Sequence, residues 1–288
     1  MDNLDRAAFL LPPDMRSAAA AAADAEEFRL RTGFRPTFLC RGTETVLPGC
    51  RTVLADDLDG VLERATAASV HTAQSSIKNG FVTVAGGIRI GICGSVIASD
   101  GRIMGMKRLS GAAIRIPREV RSCADSTYGA VTDGGFKSTV IISPPGGGKT
   151  TYLRELIRRL SDNGMRIGLA DECGEVAAVW DGMAQFSVGR CTDVMTDAPK
   201  GAATVMLLRS MNPSILAMDE ITAPEDTGAA LEAVGCGVEL LCTAHAGSVE
   251  DFRARPLYGQ LVRGGVFKRA VIIGFRHGRR VYSAEDLQ

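Results

Sequence analysis

The stretch Ser143-Pro-Pro-Gly-Gly-Gly-Lys-Thr-Thr151 has the residue types needed to bind a polyphosphate. Gly146, Gly147 and Gly148 let the backbone curl so that successive N–H groups face an anion. Lys149 adds a point charge on a flexible stem, and Thr150 supplies a hydroxyl for Mg²⁺. Pro145 and Thr151 complete the segment expected to hold the nucleotide. An apolar β-type run (138–143) precedes the loop and a helical pattern (152–160) follows it, so the positive end of that helix faces the phosphates. The G-x-x-x-x-G-K-[ST] pattern is incomplete at one place, where Ser143 replaces its first glycine. The bland alternative is a glycine-rich turn joining a strand to a helix, but Lys-Thr at this spacing between these elements favours a bound nucleotide.

A nucleotide hydrolase also needs one carboxylate for Mg²⁺ and another to orient or deprotonate water. Two apolar strands end in Asp-Glu, at Asp171-Glu172 and Asp219-Glu220. Either acid pair could instead cap the following helix. In one large class of phosphate-loop ATPases a strand intervenes between the loop strand and the metal strand. That order selects Asp219 for Mg²⁺ and Glu220 as its neighbouring base. The next strand, ending in Thr243 and His245, then lies beside the loop strand or across it, where His245 would approach the terminal phosphate and report hydrolysis. Charge on the transferred phosphoryl calls for an arginine. Arg209 is the candidate from the same subunit, and Arg89, Arg115 and Arg118 are candidates from the same or a neighbouring chain. A basic C-terminal group (Arg253, Arg255, Arg263, Lys268, Arg269, Arg276, Arg279, Arg280) reads as a solvated face, or as a contact with a partner or an acidic membrane.

The elements that must position these residues fall into two patterns. In the first half, Pro12-Pro13-Asp14 opens a helical segment to Arg31 that Gly33 ends. Residues 33–40 read as extended, and a second helix runs from about Leu58 to Lys78, stopped by Asn79-Gly80. Strands follow at 81–85 and 88–93, a hairpin at 95–104 turns through Ser99-Asp100-Gly101, and residues 113–116 add one more strand. The second half alternates strands (139–143, 165–170, 214–218, 238–243, 269–275) with helices (150–161, 199–210, 224–234, 249–261). That alternation predicts a parallel sheet covered by helices, with ligands at the carboxyl ends of its strands. The expected division is an α+β domain over 1–117, a connector over 118–135 with a short helix near 119–124, and an α/β phosphate-loop domain over 136–288.

The 288 residues are 45% hydrophobic and carry 33 basic and 33 acidic side chains, so no whole-protein field draws the chain to nucleic acid, and no nucleic-acid partner is expected. No apolar run is long enough to span a bilayer. The alanine run at 18–23 has acids on both sides, opposite to an export signal. Eight cysteines without a C-x-x-C pair are expected as free thiols in a reducing cytoplasm, not as a zinc site. A small-molecule kinase is disfavoured because no arginine-rich lid segment follows the loop helix.

Four segments in order resemble the stage III sporulation protein AA family, a relative of the hexameric secretion and pilus ATPases. They are 142–151, Asp171-Glu-Cys-Gly-Glu175, 209–221 and Cys242-Thr-Ala-His-Ala-Gly-Ser248, with support from 79–81, 86–94 and 114–119. The resemblance implies a RecA-like ATPase domain behind a smaller α+β domain, using ATP and Mg²⁺. It places Asp171, Glu172 and Glu175 in an aspartate box, Asp219-Glu220 in the Walker B strand and His245 in a histidine box. Relatives usually take their base from the aspartate box, so Glu172 and Glu175 stand beside Glu220 for that role. The family also implies a homo-oligomeric ring in the mother-cell cytoplasm, reaching the membrane only through membrane proteins of a channel between mother cell and forespore. An ATP-binding switch or scaffold with little hydrolysis is the alternative.

Overall fold

The computed structural model describes residues 2–66, 80–99, 102–276 and 279–287, and the chain forms two compact units. One comprises Met1–Arg118 with Trp180–Gln185, the other Glu119–Val179 with Phe186–Gln288. Among the described residues no helix is long and apolar enough to cross a membrane.

In the first unit, α1 (Asn3–Leu10) is capped by the Asp2 carboxylate, which accepts from Asp5 N at 2.8 Å. A 3₁₀ segment (Pro13–Ala22) follows, then β1 (Glu27–Arg31), β2 (Thr37–Cys40), β3 (Thr43–Val46) and α2 (Ala55–Ala65). The helix expected to continue to Arg31 therefore ends by Ala22. Glu27-Phe-Arg-Leu-Arg31 buries Phe28 and Leu30 while Arg29 and Arg31 face away, and this period of two overrides the helix propensity of the alanine run. α2 starts where the Asp57 carboxylate accepts from Leu54 N at 2.8 Å; the expected continuation through residues 67–79 lies outside the described residues.

The strands β4 (Phe81–Val84), β5 (Ile88–Ser99) and β6 (Arg102–Arg115) complete an antiparallel sheet of order β3-β2-β1-β6-β5-β4. The strand at 88–93, the hairpin at 95–104 and the strand at 113–116 are in fact one long hairpin, whose turn at 100–101 lies outside the described residues. Gly94 permits this continuity: a register shift brings it so near Arg108 O that a Cβ would sit 2.6 Å away. Helices cover one face, where Ala7, Leu10, Met15, Leu58 and Val61 meet Phe28, Leu30, Ile88, Ile90 and Ile114.

The second unit opens with α3 (Asp125–Thr132), then β7 (Thr139–Ser143), α4 (Lys149–Asp162) and β8 (Ile167–Asp171). The chain then passes through the short hairpin β9 (Val179–Trp180) and β10 (Met183–Ala184), which from Trp180 belongs to the first unit, before β11 (Thr192–Thr196) of the second. Next come α5 (Lys200–Ser210), β12 (Ile215–Glu220), α6 (Pro224–Gly235), β13 (Glu239–His245), α7 (Val249–Ala254), α8 (Gly259–Arg263), β14 (Arg269–Arg276) and β15 (Arg279–Asp286). The sheet order is β11-β8-β12-β13-β7-β14-β15, parallel except for β15.

Ile141 packs on one face with α3 and α4 (Val131, Leu153, Leu156, Ile157), and Val140 and Ile142 pack on the other with α5 to α8. The helix expected near 119–124 starts later, at Asp125, after Ser122 in a left-handed conformation (φ 64°) whose N–H donates to Glu155. Ala124 and Val131 bury against α4, so the expected connector contributes to this unit's core. The single helix expected over 249–261 is broken at Arg255 (ψ 126°), because Pro256 disfavours helical geometry before it and offers no N–H.

Phe28→Ala is expected to destabilise the first unit by about 3–5 kcal/mol, against about 0.5 kcal/mol or less for exposed Phe34→Ala. Urea unfolding followed through Trp180, the only tryptophan and part of the same unit, measures both.

Candidate active site

The parallel register sets the carboxyl ends of β7, β13 and β12 side by side: His245 stands opposite Ser143, and Thr243 opposite Glu220. The strand between the loop strand and the Asp219 strand is thus β13, next to the loop strand. Between Met218 and Glu220 the register shifts, so that Asp219 is the extra residue of a bulge. A bulge bends its strand and re-aims the side chain. Here the Asp219 carboxylate has both oxygens 3.4 Å from Thr150 Oγ1, and Thr243 Oγ1 donates to it at 3.4 Å.

The loop turns on two glycines. Gly147 lies over Ser143, where a Cβ would overlap Ser143 Oγ and sit 2.8 Å from Ser143 Cβ. Gly148 precedes α4 with φ 100°, a left-handed conformation that favours glycine. Lys149 is 6% exposed; its Nζ donates to Ser143 O at 3.3 Å and to His245 Nδ1 at 2.6 Å. Since Nδ1 accepts, the other ring nitrogen carries the hydrogen, and Nε2 donates to Glu220 Oε2 at 2.7 Å. Burial lowers the Lys149 pKa, opposed by the nearby Glu220 and Asp219 charges. Burial also pushes Asp219 up to about 6, reinforced by the Glu175 and Asp171 charges and opposed by Lys200.

A cavity of about 430 Å³ collects Gly146, Gly148, Lys149, Thr150 and Thr151 with Glu175, Asp219, Glu220, Thr243 and His245. Pro145 is exposed and is not among its lining residues. Two expected members are elsewhere. The Glu172 carboxylate faces Lys200 Nζ at 3.6 Å and lines another cavity, of about 620 Å³, between α5 and α6. Arg209 is exposed in the last turn of α5 and does not line the loop cavity.

Within the first unit, Arg115 pairs with Glu27 at 3.2 Å, Arg89 lies over the Phe81 ring and Arg118 donates to the carbonyls of Ala23 and Ala25. Asp171 is buried and accepts from the N–H groups of Glu175, Val176 and Ala177. Burial raises its pKa and these hydrogen bonds act against the rise, so its observed part is to shape the turn that brings Glu175 into the cavity.

One lining residue was not singled out from sequence. Arg280, at the start of β15, donates through Nε to Gly147 O at 3.0 Å. Because β15 runs antiparallel to β14, its first residues lie at the carboxyl ends of the parallel strands, with Arg280 opposite Phe275. The signal was only the basic composition of this segment; the strand that redirects it was missed.

These residues fit a Mg²⁺-nucleotide. The glycines leave an anion-accessible loop, the helix N-terminus and Lys149 supply positive charge, and the Thr150 hydroxyl and Asp219 carboxylate, oxygen donors of the kind a hard cation takes, face each other at 3.4 Å in the same cavity.

Residues 15–281 match the family described as Sporulation stage III, protein AA. The chain is 33% identical to the Stage III sporulation protein AA of Bacillus subtilis (strain 168) over 277 residues, covering 92% of this chain and 89% of that one. Its fold is similar to the Yersinia pseudotuberculosis ATPase DotB (15% identity, TM-score 0.61, 94% of this chain and 78% of that one). It is also similar to the pilus retraction motor PilT solved with bound ADP (16% identity, TM-score 0.62, 95% and 82%). At these identities the solved structures speak to fold alone, while the sequence match covers nearly the whole chain. The chain belongs to the Sporulation stage III, protein AA family.

Proposed function

We propose that the second unit hydrolyses ATP with Mg²⁺ and that the chain works as a homo-oligomeric ring in the cytoplasm. There it would drive or assemble a channel between mother cell and forespore together with membrane proteins of that channel. The observation that carries the enzymatic reading is the shared cavity in which the loop, Lys149 and Thr150 face Asp219 and Glu220. In this reading the loop N–H groups and Lys149 bind the phosphates, and Thr150 and Asp219 would hold Mg²⁺. When bound, Mg²⁺ supplies charge neutralisation at the phosphate oxygens. Glu220 orients the attacking water or takes its proton, with His245 donating to the carboxylate. Glu175 is the second acid available for that step, and Glu172 is set aside by its position at Lys200.

The switch reading draws on the contact between Lys149 and His245, which ties the phosphate-binding cation to the hydrolytic acid through one imidazole. A nucleotide that draws Lys149 away releases His245, and such a rearrangement can signal without turnover. Steady-state phosphate release separates the two readings. For the hydrolase, Lys149→Ala lowers release to background and Glu220→Gln lowers it about 100-fold or more, with ATP binding retained in Glu220→Gln. Glu172→Gln is expected to stay within about threefold of wild type, as suits an acid outside the cavity. Equal release by wild type and Lys149→Ala would end the hydrolase reading.

Asp219 generates a pH prediction for the protein without nucleotide or metal. A carboxylate raised to about 6 from the ordinary 3.8 favours the protonated folded state. Its contribution to stability is therefore lost as pH rises from near 4 through about 6. Asp219→Asn is expected to be about 1–2 kcal/mol more stable than wild type at pH 7.5, a difference that closes as pH falls towards 4. Thermal unfolding in a chelator at several pH values measures the gap, and the same variant should lose the Mg²⁺ dependence of ATP binding.

A further inference from the structure

We infer that Arg280 is a second phosphate-binding cation of the nucleotide site, supplied by the same chain that supplies the loop. This rests on the reading of the cavity as an ATP site and adds a residue to it. Three observations support it. First, the contact is built into the loop: Arg280 Nε donates to Gly147 O at 3.0 Å, and the side chain packs so closely over Gly148 that a Cβ there would meet Nε at 3.0 Å. Second, that bond uses one donor of the guanidinium. No hydrogen bond to a described residue engages the two terminal amino groups, and the side chain lines the same cavity as Lys149 and Thr150. A planar fork with free donors suits phosphate oxygens, which it can bind in pairs.

The third observation is the charge of the cavity. Asp219 and Glu220 place carboxylates in the cavity, and among the described residues Lys149 and Arg280 are its lysine and arginine lining residues. Among the described lining residues the other lysine or arginine is Lys149, and it is already drawn towards Ser143 O and His245. Arg280 is held at the loop itself, through Gly147 O. The role differs from the contact with an acidic surface that the basic C-terminal segment suggests by composition. It also differs from the part first given to Arg209, which is exposed outside the cavity.

Isothermal titration of the full chain with ATP and Mg²⁺ tests the assignment, comparing wild type with Arg280→Gln and Arg280→Lys. Glutamine retains an N–H donor for Gly147 O but no charge, whereas lysine retains charge without the fork. Arg280→Gln is expected to bind ATP about 10- to 100-fold more weakly, with Arg280→Lys between it and wild type and all three melting alike without ligand. If Arg280→Gln binds like wild type, or lysine restores nothing, the arginine only props the loop and the inference is overturned. If wild type itself fails to bind ATP while Arg280→Gln folds normally, the reading of the cavity as an ATP site is overturned instead.

Discussion

The parallel register of β7, β13 and β12 is the constraint on which the site depends. The interiors of these strands are buried among apolar side chains on both faces, so polar chemistry can appear only where the strands leave the core. All three leave it at the same end, and the register then decides which residues become neighbours. His245 meets Ser143, Thr243 meets Glu220, and the extra residue at Asp219 turns a carboxylate towards Thr150. A slip by one residue would turn each of these side chains to the opposite face of the sheet. The apolar runs in the middle of the strands therefore hold the chemistry at their ends in place.

Charge imposes the next layer of order. Lys149, Asp219 and Glu220 line one cleft, where burial lowers the Lys149 pKa and raises that of Asp219. Such groups persist because each has a partner. His245 serves two of them at once, accepting from Lys149 and donating to Glu220. Thr150 and Thr243 converge on Asp219 with neutral hydroxyls, which add no positive charge beside it. The negative charge of that carboxylate is the electrostatic reason why a divalent cation suits the position between Thr150 and Asp219.

The chemistry was legible in the sequence where it depends on local patterns. Lys149-Thr150 after three glycines, and Asp219-Glu220 at the end of an apolar strand, are read from a few residues each, and both reach one cavity. The illegible parts depend on distant partners. Asp171-Glu172 has the same local pattern as Asp219-Glu220, yet Asp171 turns to three backbone N–H groups and Glu172 to Lys200, which residue types at 171 and 172 cannot foretell. Arg280 was invisible as a site residue because its strand is polar and follows a reversal of direction at the sheet edge. In the first half, the alanine run drew a helix over Glu27–Arg31, although Phe28 and Leu30 alternate with arginines as a half-buried strand requires.

Ser143 shows how a departure from a motif can be absorbed without loss of the loop's shape. The phosphate-loop pattern carries a glycine at this place, and a larger residue needs space from somewhere. Here the space comes from Gly147, since the Ser143 side chain occupies the volume that any Cβ at 147 would fill. The two positions are therefore sterically reciprocal: a serine at 143 makes glycine at 147 obligatory. The exchange is not free, because Ser143 Oγ is buried without a hydrogen-bond partner among the described residues, a cost of about 1–3 kcal/mol. The loop keeps its course because the side chain points under it and leaves the cavity surface to Gly146, Gly148 and Lys149. The motif is better described by the volume beneath the loop than by the letter at its first position.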